Sequence, residues 1–439
     1  MQAKLASVFY SLLVLFLPTQ LGKHFWPDFA SIQGLQVDYL SPTLYVTDLL
    51  IVALIIVWIS RKKNVWGEVV SFIKKKSTKI YLCIIGVLFV GIFLSDQIVP
   101  GFYFFGKLLE FSFVAWYTAT HLQTAKQFLQ IVLLLSIGAT IESMLSLMQF
   151  LQQSSVNGLW YFLGERNFNG STPGIANASL NGALVLRSYG TFPHPNVLAG
   201  YLLISMTFVL FSFSQQISRW IKVIFLLALS LGTAGLLTSM SRIPVVLWMV
   251  TVIAFLLWRF SFAKKMKVRK IFMGSVVSLL IIAGFLMTPS ATRLFATSFT
   301  EESLLQREVL TKHSFAIIGK HPLFGVGLGQ FLPSLAVEQE TSVLLLYQPV
   351  HNIFLLIAAE TGIIVLILFC FFLAKTFFQL KEKIAVADSS IWLINISLMV
   401  IFYQILMIGL FDHYFVTLQQ GQLLFALVIG LCWARVKSN

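Results

Sequence analysis

The sequence predicts an all-α, polytopic membrane protein, and three observations carry that prediction. The 439 residues are 58% hydrophobic and only 11% charged, where soluble domains run about 45–50% apolar and roughly 25% charged. The apolar residues are gathered into runs of about 17–25, the length that crosses a bilayer as a helix. Lysine and arginine fall in short clusters between those runs, which gives the chain a sidedness. The net charge of +14 would point to nucleic acid if it formed a patch on a soluble domain. Interleaved with apolar runs, it points to a membrane instead, and no nucleic-acid partner is expected.

Read in order with a window of about 20 apolar residues, the chain places helices near 4–21, 44–60, 80–95, 101–120, 127–151, 195–214, 219–238, 243–260, 271–288, 351–374, 390–411 and 419–434, twelve in all. The first run has Lys4 as its only flanking charge. Pro18-Thr19-Gln20 is a poor cleavage site, so the run is expected to stay as a helix. Cys83, Cys370 and Cys432 lie inside apolar runs with no ligand or disulfide spacing and read as small packing residues.

Twelve helices put 22 of the 31 basic residues on one side, among them Arg61 to Lys63, Lys74 to Lys76, the cluster from Arg259 to Lys270, and Lys375, Lys381 and Lys383. Both termini are then cytoplasmic. Two long loops, 152–194 and 289–350, are extracytoplasmic, and six of the seven histidines share their face. The first loop, rich in Gly and Asn, reads as turns. In the second, Leu304, Leu305, Val309, Leu310, Phe315 and Ile317 recur at helical spacing and predict an amphipathic helix, followed by a turn at H-P-L-F-G-V-G-L-G-Q-F.

The chemistry-bearing candidates gather on that face. Arg187, Arg242 and Arg307 stand at or near helix ends where the positive-inside tendency disfavours arginine. A guanidinium offers a planar fork that matches phosphate oxygens and stays charged at any working pH. Each could instead snorkel to lipid phosphate or pair with a nearby acid, Arg307 with Glu302 or Glu308. His351 opens the segment that runs to Ala374, and an imidazole there can act as a base or simply cap a helix. Glu360, Glu142 and the Lys107/Glu110 pair lie inside helices and could be functional or hydrogen-bonded packing residues.

Other patterns fall away. G-V-G-L-G at 325–329 follows a turn rather than a strand, so it is no nucleotide loop. Glu338-Gln339-Glu340 has no His or Asp partner at ligand spacing, and neither H-E-x-x-H nor D-x-D occurs. No metal and no cofactor is expected, and no G-x-S-x-G nucleophile appears in the outer loops.

In combination these pieces resemble the O-antigen ligase and polymerase superfamily of bacterial membrane glycan transferases. His351, Asn352, nine residues and Gly362 follow the family pattern H-[NSQ]-x9-G-x-x-[GTY], from which Val365 departs at the last position. R-S-Y-G-T-F-P-H-P-N-V-L-A, S-M-S-R-I-P and the pair R-E-V-L with H-P-L-F-G-V-G-L-G-Q-F resemble its other blocks, in its order, so that 187–365 is the family-like region. The resemblance implies inverting transfer of a glycan from a polyprenyl diphosphate, such as undecaprenyl diphosphate, to an acceptor hydroxyl on lipid A core, another glycan, a lipid or a protein. It implies His351 as general base, Arg187, Arg242 and Arg307 as the diphosphate clamp, Asn352 as a binding group, and an active site on the outer face of the bacterial inner membrane. Ligase, repeat-unit polymerase and protein O-oligosaccharyltransferase all fit. A flippase for lipid-linked glycans is the rival of another class, but it would more often show an internal repeat and charges near the midplane.

Overall fold

A computed structural model describes residues 2–62, 64–74, 78–180, 183–213, 217–262, 301–338 and 348–437. The described chain is mostly helical: α1 (Gln2–Leu15), α2 (Val46–Ser60), α3 (Val65–Lys74), α4 (Lys79–Leu94), α5 (Ile98–His121), α6 (Ala125–Gln152), α7 (Pro195–Ser212), α8 (Arg219–Thr238), α9 (Arg242–Phe262), α10 (Glu301–Lys320), α11 (Phe331–Glu338), α12 (Ile353–Val386), α13 (Ser389–Gly409), α14 (Tyr414–Thr417) and α15 (Gln419–Trp433). Among the described residues, α5, α6, α7, α8, α9, α12 and α13 are long and apolar enough to cross a membrane, and α1, α2, α4 and α15 are shorter apolar helices. The predicted segment at 271–288 lies outside the described residues.

Several boundaries and connections differ from expectation. α1 stops at Leu15, and the chain turns before Pro18, where the Thr19 hydroxyl donates to the Leu163 carbonyl at 2.6 Å. α12 continues well past 374 because Leu380 is fully buried and Lys383 Nζ donates to the Cys432 carbonyl at 2.6 Å, closing the end of α15. α3 is a short helix between two basic clusters that the hydropathy reading passed over. Among the described residues, three two-stranded antiparallel sheets lie between the helices: β1 (Gly22–His24) pairs with β4 (Thr43–Tyr45), β2 (Ser31–Ile32) with β3 (Leu35–Gln36), and β5 (Asn177–Leu180) with β6 (Ala183–Leu186). The last lies in the loop read as turns. Only Cys432 is a buried packing residue, whereas Cys83 and Cys370 are exposed on helix surfaces.

The centre of the bundle is α7. Every residue from Val197 to Ser212 is buried, against α6, α8, α9 and α13. Glycine allows the close approach of α8 to α7: a Cβ at Gly232 would stand 2.7 Å from the Met206 sulfur. α6 shows how the apolar solvent inverts a helix. Ile141, Met144, Met148 and Leu151, three and four residues apart, form an exposed apolar stripe, while Glu142, Ser146 and Gln149 are buried on the opposite face. Polar groups that lipid cannot satisfy must find partners inside the protein.

The other organising feature is a break in α12. Gly362 has φ 80° and ψ 171° in the middle of the helix, a region open in practice only to glycine. The freed backbone groups are taken up by the turn at 322–330. Ile363 N donates to the Pro322 carbonyl at 2.8 Å, Val326 N to that of Ala359 at 3.0 Å and Gly327 N to that of Glu360 at 2.8 Å. Gly325, Gly327 and Gly329 all have positive φ, and a Cβ at Gly325 would overlap the Glu360 backbone. G-V-G-L-G is therefore a docking strip for a broken helix. Glu360 accepts from Phe331 N at 3.3 Å and caps α11.

α10 forms as predicted, with one face different. Leu310, His313, Ser314 and Ile317 are buried at i, i+3, i+4 and i+7, while Phe315 is 60% exposed. It lies on the other side of the helix from Leu310, out of reach of the core formed with Ala30, Val37, Phe331 and Val350.

Candidate functional site

At one end of the bundle the loop ahead of α7, the α8–α9 turn, the start of α12 and the α13–α14 turn converge. Arg187 joins the first two. Its Nε donates to the Ser239 carbonyl at 2.9 Å, and one terminal nitrogen donates to Asn196 Oδ1 at 2.6 Å and the Ser241 hydroxyl at 3.0 Å. Asn196 then donates from Nδ2 to Asp412 Oδ2 at 2.7 Å, and the other Asp412 oxygen accepts from His413 N at 2.8 Å. A continuous chain of polar contacts thus runs from guanidinium through amide to carboxylate. The amide orientation is fixed, because Oδ1 faces two donors and Nδ2 faces an anion.

The turn that carries Arg187 is held from behind by α6. Glu142 accepts from the Thr191 amide at 2.8 Å and its hydroxyl at 2.7 Å. Gln149 Oε1 accepts from Tyr189 N and Gly190 N at 3.0 and 2.8 Å. Glu142 is therefore a structural partner of the turn. Lys107 and Glu110 belong to a separate buried ion cluster with Asp48, at 2.5 Å from Asp48 to Lys107 and 3.4 Å from Lys107 to Glu110.

Three imidazoles surround Asp412. His194 is the N-cap of α7, and its Nδ1 accepts from Asn196 N at 3.2 Å, a role only the neutral ring can fill. Desolvation, aided by the Arg187 charge, pushes its pKa down to about 3. Desolvation likewise pushes His413 down to about 3, against the pull of Asp412. Its Nδ1 shares a 2.7 Å hydrogen bond with the Thr417 hydroxyl. The His351 ring lies 5.3 Å from that of His413 at an interplanar angle of 70°. Its Nδ1 is buried without a hydrogen-bond partner among the described residues. Desolvation and the Arg307 charge depress its pKa, while Asp412 opposes them. Burial works against the Asp412 carboxylate, but the imidazoles and the Asn196 amide outweigh it and keep its pKa below the ordinary value. Near neutral pH the site holds one buried anion among neutral imidazoles, of which His351 has a ring nitrogen with no hydrogen-bond partner among the described residues.

Arg307, on α10, acts electrostatically on His351, His413 and Arg242. All three arginines named from the sequence thus stand in one neighbourhood with His351. Glu308 pairs with Lys312 at 2.6 Å rather than with Arg307. Asn352 caps α12: its Oδ1 accepts from Phe354 N and Leu355 N at 2.9 and 3.0 Å, and its Nδ2 donates to the Leu410 carbonyl at 3.2 Å. Its amide holds His351 against the α13–α14 turn. Among the described residues, no set of His, Cys, Asp and Glu is placed to hold a metal ion.

Residues 224–370 match the family model described as O-antigen ligase. The chain carries an O-antigen ligase family domain. The matched stretch runs from α8 into α12 and contains Arg242, Arg307, His351 and Gly362. No curated protein matches the chain.

Folding supplies the O-antigen ligase domain with groups from outside its boundaries. Arg187, His194 and Asn196 come from the N-terminal side, and Asp412 and His413 from the C-terminal side. Tyr39, from the β3–β4 connection, packs edge-on to His413 with ring centroids 5.5 Å apart. Arg166 donates to the Pro193 carbonyl at 2.7 Å next to His194. Sequence reasoning did not select Asp412, His413, His194 or Tyr39 as site residues. One usable signal was the dipeptide Asp412-His413 in a seven-residue connection between two apolar helices, on the same face as His351.

Proposed function

We propose that the protein is a glycosyltransferase that moves a glycan from a polyprenyl diphosphate to an acceptor hydroxyl, with its site on the extracytoplasmic face of a bacterial inner membrane. The O-antigen ligase domain supports a ligase- or polymerase-type function, and the apolar helices support a membrane location. The observation that carries the mechanistic reading is the pairing of His351, whose buried Nδ1 has no partner among the described residues, with arginines contributed by three separate elements.

In this reading the acceptor oxygen attacks the anomeric carbon as the bond from that carbon to the diphosphate oxygen breaks, with inversion. His351 takes the hydroxyl proton, and the released diphosphate carries the electron pair. Arginines near the leaving group stabilise its growing charge more in the transition state than in the ground state. The depressed pKa of His351 keeps the ring unprotonated and able to act as base at neutral pH. Arg187, Arg242 and Arg307 are the diphosphate ligands, and Asn352 orients His351.

A groove of about 2450 Å³ supports the lipid-linked donor. It begins at Tyr39 and Thr417, both in contact with His413, passes Glu360 and Phe369, and reaches Trp433 towards the other end of the bundle. Pockets for drug-sized ligands hold about 300–1,000 Å³, so its size and apolar walls suit a long hydrocarbon chain. The test is a reconstituted assay with a radiolabelled lipid-linked glycan. His351→Ala is expected to abolish transfer with membrane expression intact, and full activity in that variant overturns the base assignment. With the wild-type protein, a single transfer marks a ligase, a product ladder a polymerase, and movement across the bilayer without transfer a flippase.

A further inference from the structure

Residues 155–168 form a closed loop with a rigid neck. Ser155 N donates to the Phe168 carbonyl at 2.9 Å, and Phe168 N returns a bond to the Ser155 hydroxyl at 3.1 Å. Glu165, only 3% exposed, accepts from Val156 N and Asn157 N at 2.7 Å each and from Gln149 Nε2 at 2.8 Å. Gly164 has φ 105°, and a Cβ there would come 2.8 Å from Gln20 N, so the loop is seated tightly on the chain after α1. The tip is the opposite in character. The 3-10 turn Gly158–Leu163 reads G-L-W-Y-F-L, with Leu159 82%, Phe162 68% and Tyr161 60% exposed. An ordered neck holding out apolar side chains calls for an apolar environment outside the protein.

We infer that this tip is an interfacial anchor, seated in the lipid at the headgroup–acyl boundary of the leaflet on the site's side of the membrane. Two observations select lipid as the occupant. The tip follows closely on α6, and the exposed apolar stripe Ile141, Met144, Met148 and Leu151 ends at the last turn of that helix, with only 152–157 between it and the tip. From Leu151 to Gly164 there is also no charged residue, while Trp, Tyr and Phe supply the amphipathic and apolar rings that settle at membrane interfaces. The neck also touches the turn that carries the site. Arg166 follows Glu165 and reaches both the Pro193 carbonyl and the face of Tyr189, 5.7 Å from the ring centroid. The inference rests on the bundle crossing a membrane and is independent of the transferase reading.

The experiment uses the full chain with Cys83, Cys370 and Cys432 replaced by alanine, and one added cysteine at a time: Phe162→Cys and Tyr161→Cys at the tip, Ser171→Cys as the water-exposed comparison. Each is labelled with an environment-sensitive fluorophore and reconstituted in phosphatidylethanolamine–phosphatidylglycerol vesicles. At 162 and 161 the label is expected to be quenched several-fold more than at 171 by lipid spin-labelled near the headgroup, and to be protected from iodide. Having two tip sites keeps the test open if one variant misfolds. Iodide access at both sites equal to that at 171 overturns the proposal, and would leave the tip free for a protein partner instead.

Discussion

Replacing Gly362 by alanine tests how α12 holds His351. At φ 80° and ψ 171° a side chain costs about 1–3 kcal/mol in backbone strain. The added Cβ would also overlap the Leu323 carbonyl and press on Phe324 N. Both are backbone atoms that no rotamer change can move, so the turn must shift. Three backbone hydrogen bonds, Ile363 to Pro322, Val326 to Ala359 and Gly327 to Glu360, then loosen, each worth about 0.5–1.5 kcal/mol. Together the loss is about 3–7 kcal/mol if the turn detaches. Gly319→Ala is the control, since it sits in exposed helix with nothing near its Cβ and should be neutral or slightly stabilising. The melting temperature of the purified protein in detergent is expected to fall by about 3–8 °C for Gly362→Ala, and by nothing measurable for Gly319→Ala. Equal melting of the two variants refutes the account of Gly362 as an obligatory break.

Arg242→Lys keeps the charge and loses the fork, so transfer is expected to drop roughly 10- to 100-fold, the worth of a charge-assisted hydrogen bond; wild-type rates would reduce Arg242 to an electrostatic anchor. Asp412→Asn leaves one oxygen to serve two donors, Asn196 Nδ2 and His413 N, and is expected to lower kcat/KM about 10-fold as the Asn196 amide and the Arg187 fork lose their fixed orientation. The pH dependence of stability follows from His413, whose pKa is about 3 in the folded protein and about 6.5 when unfolded. Below 6.5 the unfolded chain binds a proton the folded one refuses, so stability falls with acidification, by about 2 kcal/mol at pH 5. Asp412, with its lowered pKa, adds its own loss only at more acid pH. His194, also held at about 3, contributes a similar loss, so His413→Gln should roughly halve the decline in melting temperature between pH 7 and 5.

Much of the architecture was legible because transmembrane helices announce themselves locally: length and apolarity identified α5, α6, α8, α12 and α13 without any knowledge of neighbours. Arg187, Arg242, Arg307 and His351 stood out as candidates for a related reason, since a cation or imidazole beside an apolar run is costly and so conspicuous in the chain itself. The sequence by itself could not show that Asn352 caps α12, because its partners Phe354 N, Leu355 N and the Leu410 carbonyl come together only in the fold. Nor could it explain the glycines of 325–329, whose φ values answer to a helix break more than thirty residues later. The link from Arg187 through Asn196 to Asp412 spans over two hundred residues. Hydropathy and side chemistry are properties of a segment and can be read along the chain. Hydrogen-bond partnership is a property of two segments, and only the packing of α7 against the turns at its end decides which pairs meet.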